Sequence, residues 1–303
     1  MTLSGPSIPS AVAEATDTRL LAIDDLDLHL IAGAAFDPVA DAVGRLREST
    51  YRKQLSGSGD ERDLDGRDPH YDHLLLVERS SGDLAGSARL QFIPAGASSL
   101  PGSDGSYLEH VYPGIKADLA SRTNHLEIGR VALAERFQRQ PHSLMALFRG
   151  GLLIAARSGY QLLHGLVSYN HFAYSDAVNA AFLSALLRPP YRRLNTPLPA
   201  PRHPFPGIHA DDTPHPSGHI QALEQEIRQT LSDDFRLPVL LRQYFNLMHS
   251  EVCDLSLALD FNQITEILMA ADLRRLPPER LALFIDLPHQ PVYQRFSWYR
   301  GDE

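Results

Sequence analysis

Apolar residues in this chain follow two periods, and the change between them marks out strands and helices. Leu26, Leu28 and Leu30 alternate with Asp27 and His29, so a first strand is expected within residues 19–32. Asp37-Pro38 opens a helix, with proline where a missing N–H does no harm. Val39, Ala42, Val43, Leu46 and Tyr51 carry that helix to about residue 54. Residues 55–70 form a polar loop. Residues 73–79 and 84–92 read as two strands of a hairpin joined by Ser80-Ser81-Gly82-Asp83. A Gly/Ser/Pro loop covers 94–106, and a strand follows over 126–133.

Residues 143–158 form an apolar helix that stops at Gly159. A strand over 160–168 comes next, and then a helix over 173–187, closed by Pro189-Pro190. Residues 195–219 hold seven prolines and four histidines and read as a linker or long surface loop. Helices are expected over 220–231 and 238–248, a strand over 253–259, and a strand or short helix over 264–270. Cys253, Leu255 and Leu257 alternate with polar residues, so they are expected to share the buried face of that strand.

Composition narrows the class. Of 303 residues, 43% are hydrophobic and 21% charged, as in a globular protein with a packed core. A net charge of -9 argues against bulk electrostatic binding to nucleic acid, although Arg136, Arg139, Arg149 and Arg157 can still make a local basic patch. The single cysteine, Cys253, excludes an internal disulfide and suits a reducing cytoplasm. Residues 1–18 lack a basic start and a long apolar run, and are expected to be a frayed arm. No stretch approaches the ~20 apolar residues of a membrane span.

Three segments carry the candidate chemistry. The first is Asp65-Gly66-Arg67-Asp68, followed by Asp72. The second is Leu84-Ala85-Gly86-Ser87-Ala88-Arg89-Leu90. The third is His125-Leu126-Glu127-Ile128-Gly129-Arg130. Together they resemble the core of acyl-carrier-dependent N-acyltransferases of the GNAT-like superfamily. The likeness is greatest to ornithine-lipid and hemolysin-type N-acyltransferases, and more distant to acyl-homoserine-lactone synthases.

Arg47 and Tyr51 resemble that family's Arg and aromatic pair on the first helix, and Asp65, Asp68 and Asp72 its acidic cluster. Arg89 is similar to its Arg before Leu, and Glu127 with Arg130 to its Glu-x-x-Arg. Residues 237–244 resemble its Leu-Pro-x-Leu-Leu-x-x-Tyr, and Asp260-Phe261-Asn262 the end of its Asp-x-Asp-Phe-Asn segment, with Ala258 in place of the first Asp.

The resemblance implies an α+β fold with a mostly antiparallel sheet flanked by helices. It implies a core over 19–194 and, past the 195–219 loop, a C-terminal extension over 220–303 that completes an acyl pocket. It also implies that the strand bearing Glu127 splays from its neighbour. The expected activity is transfer of a fatty acyl group, 3-hydroxylated or not, to the amine of an amino acid. The donor would be the acyl-phosphopantetheine of an acyl carrier protein, with no bound cofactor. Glu127 would take the amine proton, with Arg89 and Arg130 orienting substrate or the acidic cluster. Arg47, Tyr51, Asp65, Asp68 and Asp72 would form the substrate side, and Arg136, Arg139 and Arg149 would meet the carrier.

The loop over 136–143 departs from acetyl-CoA-dependent relatives because it lacks their Gly-rich phosphate cradle, which favours a carrier protein over free CoA. A non-catalytic carrier- or lipid-binding module and a lactone synthase are the rival readings. Fourteen histidines show no metal-ligand spacing, so no metal site is expected. Peripheral membrane association stays open.

Overall fold

The computed structural model describes residues 18–96, 105–192, 198–208, 213–277 and 281. The expected N-terminal arm therefore lies outside the described residues, apart from Thr18. So do parts of the loops expected over 94–106 and 195–219, and most of the chain after 277.

The elements, numbered here in chain order, are β1 (Arg19–Ile23), β2 (Leu26–Ile31), α1 (Asp37–Lys53), β3 (Asp72–Glu78), β4 (Leu84–Ile93), α2 (Tyr107–Val111), α3 (Ile115–Ala120) and β5 (His125–Leu133). They continue as α4 (Pro141–Ser158), β6 (Leu162–Tyr169), α5 (Asp176–Leu186), α6 (Ile220–Thr230), α7 (Val239–Met248), β7 (Glu251–Ala258) and β8 (Ile264–Asp272). Among the described residues the strands form one eight-stranded sheet in the order β1-β2-β3-β4-β5-β6-β8-β7. Every pair is antiparallel except β5 with β6. The fold is α+β, as expected.

The centre of the sheet is covered on both faces, which explains why β3 reads Leu-Leu-Leu-Val without alternation. Leu74 and Leu76 pack with the cluster that contains α4, whereas Leu75 and Val77 pack with Val39, Val43 and Leu46 of α1. α4 ends where Gly159 turns to a φ of 73° and its N–H reaches the carbonyls of Ala155 and Ala156. α2 and α3 lie over the ends of β4 and β8, with Tyr107, Leu108, Ile115 and Leu119 clustered on Ile93 and Leu268.

Several expectations need correction. Residues 19–31 form two strands that turn at Asp24, where φ is 52°, and not one. Neither α2 nor α3 has a sequence-level signal, because each is too short to show a period. Cys253 does not share the buried face with Leu255, and Leu257, on the same face as Leu255, is only half-buried. A bulge between Val252 and Asp254 shifts the register at Cys253 and leaves it half-buried. The loop before α6 is tied to the sheet edge: Pro204 bridges to Ser256 and Leu257 N–H donates to the His203 carbonyl. That contact covers part of an otherwise open edge strand. Among the described residues, no helix is long and apolar enough to cross a membrane.

Candidate active site

The site begins where two strands part. β5 and β6 are in register only from His125 opposite Leu162 to Glu127 opposite His164. Beyond that point β5 keeps its pairing with β4, and β6 keeps its pairing with β8. A bulge in β5 sharpens the divergence: Arg89 faces Gly129 and Ser87 faces Ala132, with Arg130 at a φ of 52° in between.

The gap opens into a cavity of about 420 Å³. Ile128 to Val131 form one wall and Gly165 to Asn170 the other. Tyr51, Arg89, Tyr107, Glu127, Arg130 and Glu266 line a polar part, and Leu166, Val167, Leu237, Val239, Leu240 and Tyr244 line an apolar part. A smaller, wholly apolar hollow shares Ile128, Val131 and Tyr244 with it and reaches Leu152 and Leu163 in the core.

Gly165 sits at the point of divergence, and a Cβ there would lie 2.7 Å from the Ile128 carbonyl oxygen. Backbone cannot yield as a side-chain tip can. Gly165→Ala is expected to destabilise the fold by about 1–3 kcal/mol, as overpacking typically does. Chemical denaturation measures this directly, and a wild-type midpoint would show that the strands can separate further at no cost.

Beside the cavity runs a ladder of alternating charge, fully buried at Arg47, Asp68 and Arg89 and half-buried at Asp65, Arg130 and Asp63. Arg47 Nη1 lies 2.8 Å from Asp68 Oδ1, which Arg89 Nη1 also reaches at 3.0 Å. Arg89 then meets Asp65 at 3.1 Å, Asp65 meets Arg130 at 3.4 Å, and Arg130 meets Asp63 at 3.4 Å. Burial pushes the Asp65 and Asp68 carboxyls up. The guanidiniums beside them (Arg89 and Arg130 for Asp65, Arg47 and Arg89 for Asp68) outweigh it and hold both below the usual carboxylate range. The Arg89 guanidinium also lies 4.3 Å from the Tyr71 ring centre, and that of Arg130 lies 4.0 Å from Phe261. Asn262 fixes the Phe261 turn by donating to the carbonyls of Leu55 and Gly57.

Glu127 is buried and held by three donors. Tyr71 OH and Leu108 N–H, at 3.1 Å, reach Oε1, and the Ser106 hydroxyl reaches Oε2 at 2.6 Å. The Tyr71 oxygen in turn accepts from Tyr107 N–H at 2.7 Å. On β8, Glu266 Oε1 lies 2.9 Å from the Tyr107 hydroxyl, which is 3.0 Å from Asp260 Oδ1.

The structure thus brings Glu127, Arg89, Arg130 and Tyr51 to the cavity wall. Arg47 and Asp68, both buried, and the half-buried Asp65 stand behind Arg89 and Arg130 as their support. Asp72 does not join Asp65 and Asp68: strand alternation sends it to the face opposite His73 and Arg89, where it accepts from Gly33 N–H at 3.2 Å. Arg136 does not stand as an open basic group, because Glu78 at 2.7 Å and Asp83 at 2.8 Å engage it. Arg139 is exposed and Arg149 is half-buried on α4. Sequence reasoning missed Tyr71, Ser106, Tyr107 and Glu266. Only Glu266 left a trace, as a lone charge inside the apolar run of β8.

A mostly antiparallel α+β sheet with one parallel junction thus parts over a cavity that bears Glu127. Residues 46–148 match the family model described as an acetyltransferase (GNAT) domain. No curated protein matches the chain.

Among solved structures, FeeM, an N-acyl amino acid synthase from uncultured soil microbes, aligns at 13% identity over 86% of this chain and 98% of its own, with a TM-score of 0.43. The loading GNATL domain of CurA from Lyngbya majuscula aligns at 13% identity over 84% of this chain and 100% of its own, with a TM-score of 0.41. BjaI, a CoA-dependent acyl-homoserine lactone synthase, aligns at 13% identity over 86% of this chain and 87% of its own, with a TM-score of 0.44.

Proposed function

We propose that this protein is an N-acyltransferase that moves a fatty acyl group from a phosphopantetheine thioester to the amine of an amino acid. The observation that carries the reading is the two-part cavity at the β5–β6 divergence, polar at Glu127, Arg89 and Arg130 and apolar toward Leu237, Leu240 and Tyr244. An amine and an alkyl chain need such opposed environments, joined at the thioester carbon.

In this reading the separated strand edges hold the amide-rich carrier arm. The acyl chain runs along the apolar lining that the C-terminal extension supplies through Leu237, Val239, Leu240 and Tyr244. Glu127, whose oxygens are held in place by three fixed donors, draws in the amine as an ammonium. Arg130, propped by Phe261, faces the acceptor's carboxylate, and Arg89 is the link between the ladder and the cavity. An acyl carrier protein is the favoured donor, with Arg139 and Arg149 beside its docking side. A cytoplasmic setting fits carrier-bound substrates.

The test is intact-mass analysis of purified protein with a 3-hydroxyacyl carrier protein, the matching acyl-CoA and a pool of amino acids including ornithine. An acylated amino acid with matching deacylation of the carrier is the expected result, and it names the acceptor. A stable carrier complex without turnover would replace this reading with the binding module. A lactone product formed from S-adenosylmethionine would replace it with the synthase.

A further inference from the structure

Glu266 is the second carboxyl group on the cavity wall, and nothing in the acyltransfer reading so far uses it. It is 3% exposed, on β8, in register with Ser168 of β6 and Ser256 of β7. Unlike Glu127 it is loosely held. Among the described residues its Oε2 accepts from the Ser256 hydroxyl alone, at 3.4 Å, and its Oε1 competes with Asp260 for the single proton of the Tyr107 hydroxyl.

Two carboxylates cannot both receive one hydroxyl proton, so one acceptor goes unsatisfied while both are ionised. Protonation of Glu266 resolves the conflict: Glu266 then donates to the Tyr107 oxygen, and Tyr107 donates to Asp260. Asp260 is exposed. Glu266, Tyr107 and Asp260 therefore form a continuous path from the cavity interior to solvent.

We infer that Glu266 is the proton acceptor of the reaction and that Tyr107 and Asp260 carry its proton out. This deepens the proposed acyl transfer and rests on it. The acceptor amine enters as an ammonium, and ionised Glu266 takes one proton and frees the nitrogen lone pair. The lone pair forms the C–N bond at the thioester carbon, and the carbonyl electrons move to oxygen. When the carbonyl re-forms, the C–S bond breaks with its electron pair on sulfur. The second ammonium proton passes from nitrogen to that sulfur and yields the carrier thiol. The first leaves Glu266 through Tyr107 to Asp260 and water, so one proton is released per amide formed.

The electrostatics suit the role. Burial, reinforced by the charge of Asp260, pushes the Glu266 carboxyl up to about 7 against the opposing effects of the Tyr107 hydroxyl and Arg130. The groups that face it are Tyr107 and Tyr112 from α2 and its end, Ser256 from β7, Asp260 from the turn and Arg130 from β5. Glu127 and Tyr107 are also joined, through Tyr71, so one residue touches the machinery of both carboxylates.

The experiment is the pH dependence of thiol release by the wild type, Glu266→Gln, Tyr107→Phe and Asp260→Asn, with the donor and acceptor that the wild type turns over. Glu266→Gln is expected to lower kcat by about 100-fold, the low end of general-base effects. It should also melt higher than the wild type at pH 8, because a carboxyl raised in the folded state favours folding only while protonated. The wild-type rate should rise with pH through about 7. Tyr107→Phe removes a donor to the carboxylate and should move that limb to higher pH. Asp260→Asn removes a like charge and should move it to lower pH.

Unchanged kcat in Glu266→Gln, or limbs that do not move in opposite directions, would overturn the assignment. If the wild type transfers no acyl group at all, the functional reading fails separately, and infrared titration of the Glu266 carboxyl band decides this one. A band lost near pH 7 and missing in Glu266→Gln supports it, and a band lost in the ordinary acidic range overturns it.

Discussion

Glu127→Gln is expected to lower kcat/KM by about 100-fold while the protein stays folded. The glutamine keeps the shape and most of the hydrogen bonds. Its carbonyl oxygen can still accept from Tyr71 and Leu108, and its amide can turn toward the Ser106 oxygen. What it loses is the buried charge that faces the ammonium. A charge-assisted hydrogen bond is worth up to about 3 kcal/mol, or roughly two powers of ten in rate or affinity.

The partition of that loss says what Glu127 does. A rise in KM for the amine, with kcat kept, marks a binding anchor. A fall in kcat at unchanged KM would return the proton-accepting role to Glu127. Unaltered kinetics would remove Glu127 from the site, whatever its position on the wall. Wild-type circular dichroism and melting must accompany each result.

The second large effect is on stability. Asp68→Asn should destabilise the fold by about 3–5 kcal/mol, the range for breaking a buried ion pair from one side. Asp68 is 1% exposed and serves both Arg47 and Arg89, themselves at 0% and 1%. An asparagine leaves two guanidiniums in the core with one anion fewer between them. The expected drop in melting temperature is on the order of 10 °C for a domain of this size.

The pH dependence follows from the sign of the shift. Asp68 is held below its ordinary value in the fold, so its contribution is fully present above the unfolded carboxylate range, near pH 4. It is lost as pH falls through the lower folded value. The gap between Asp68→Asn and the wild type should therefore narrow in acid. A constant gap would mean that packing, not charge, holds the ladder in place. Activity should fall too, because Arg89 braces Tyr71 and Tyr71 holds Glu127.

Much of the fold was legible in one dimension. α1, α4, α6 and α7, and the β3–β4 hairpin, lie close to where periodicity and punctuation predicted them, because proline and glycine end elements by local sterics alone. The charged residues Arg47, Asp65, Asp68, Arg89 and Arg130 were legible as a set only through their resemblance to a known family, since each by itself reads as a solvated or surface charge. The β1–β2 turn at Asp24-Asp25 lacks the glycine that marks most tight hairpins, and its two strands merged into one reading.

What the sequence determined by itself was therefore the local material: which segments are strands and helices, and which charged side chains are available. The tertiary structure alone decided how they act. The three-residue register of β5 against β6 opens the cavity, and pairing between distant strands leaves no local trace. It also separated Asp72 from Asp65 and Asp68, and set Glu127 among three donors from elsewhere in the chain. Finally, it placed Glu266 beside Tyr107, a residue 159 positions away. Local preference acts over a few bonds, whereas charge, burial and hydrogen bonding depend on distance in space. A carboxylate's chemistry is therefore set only when the whole chain has closed around it.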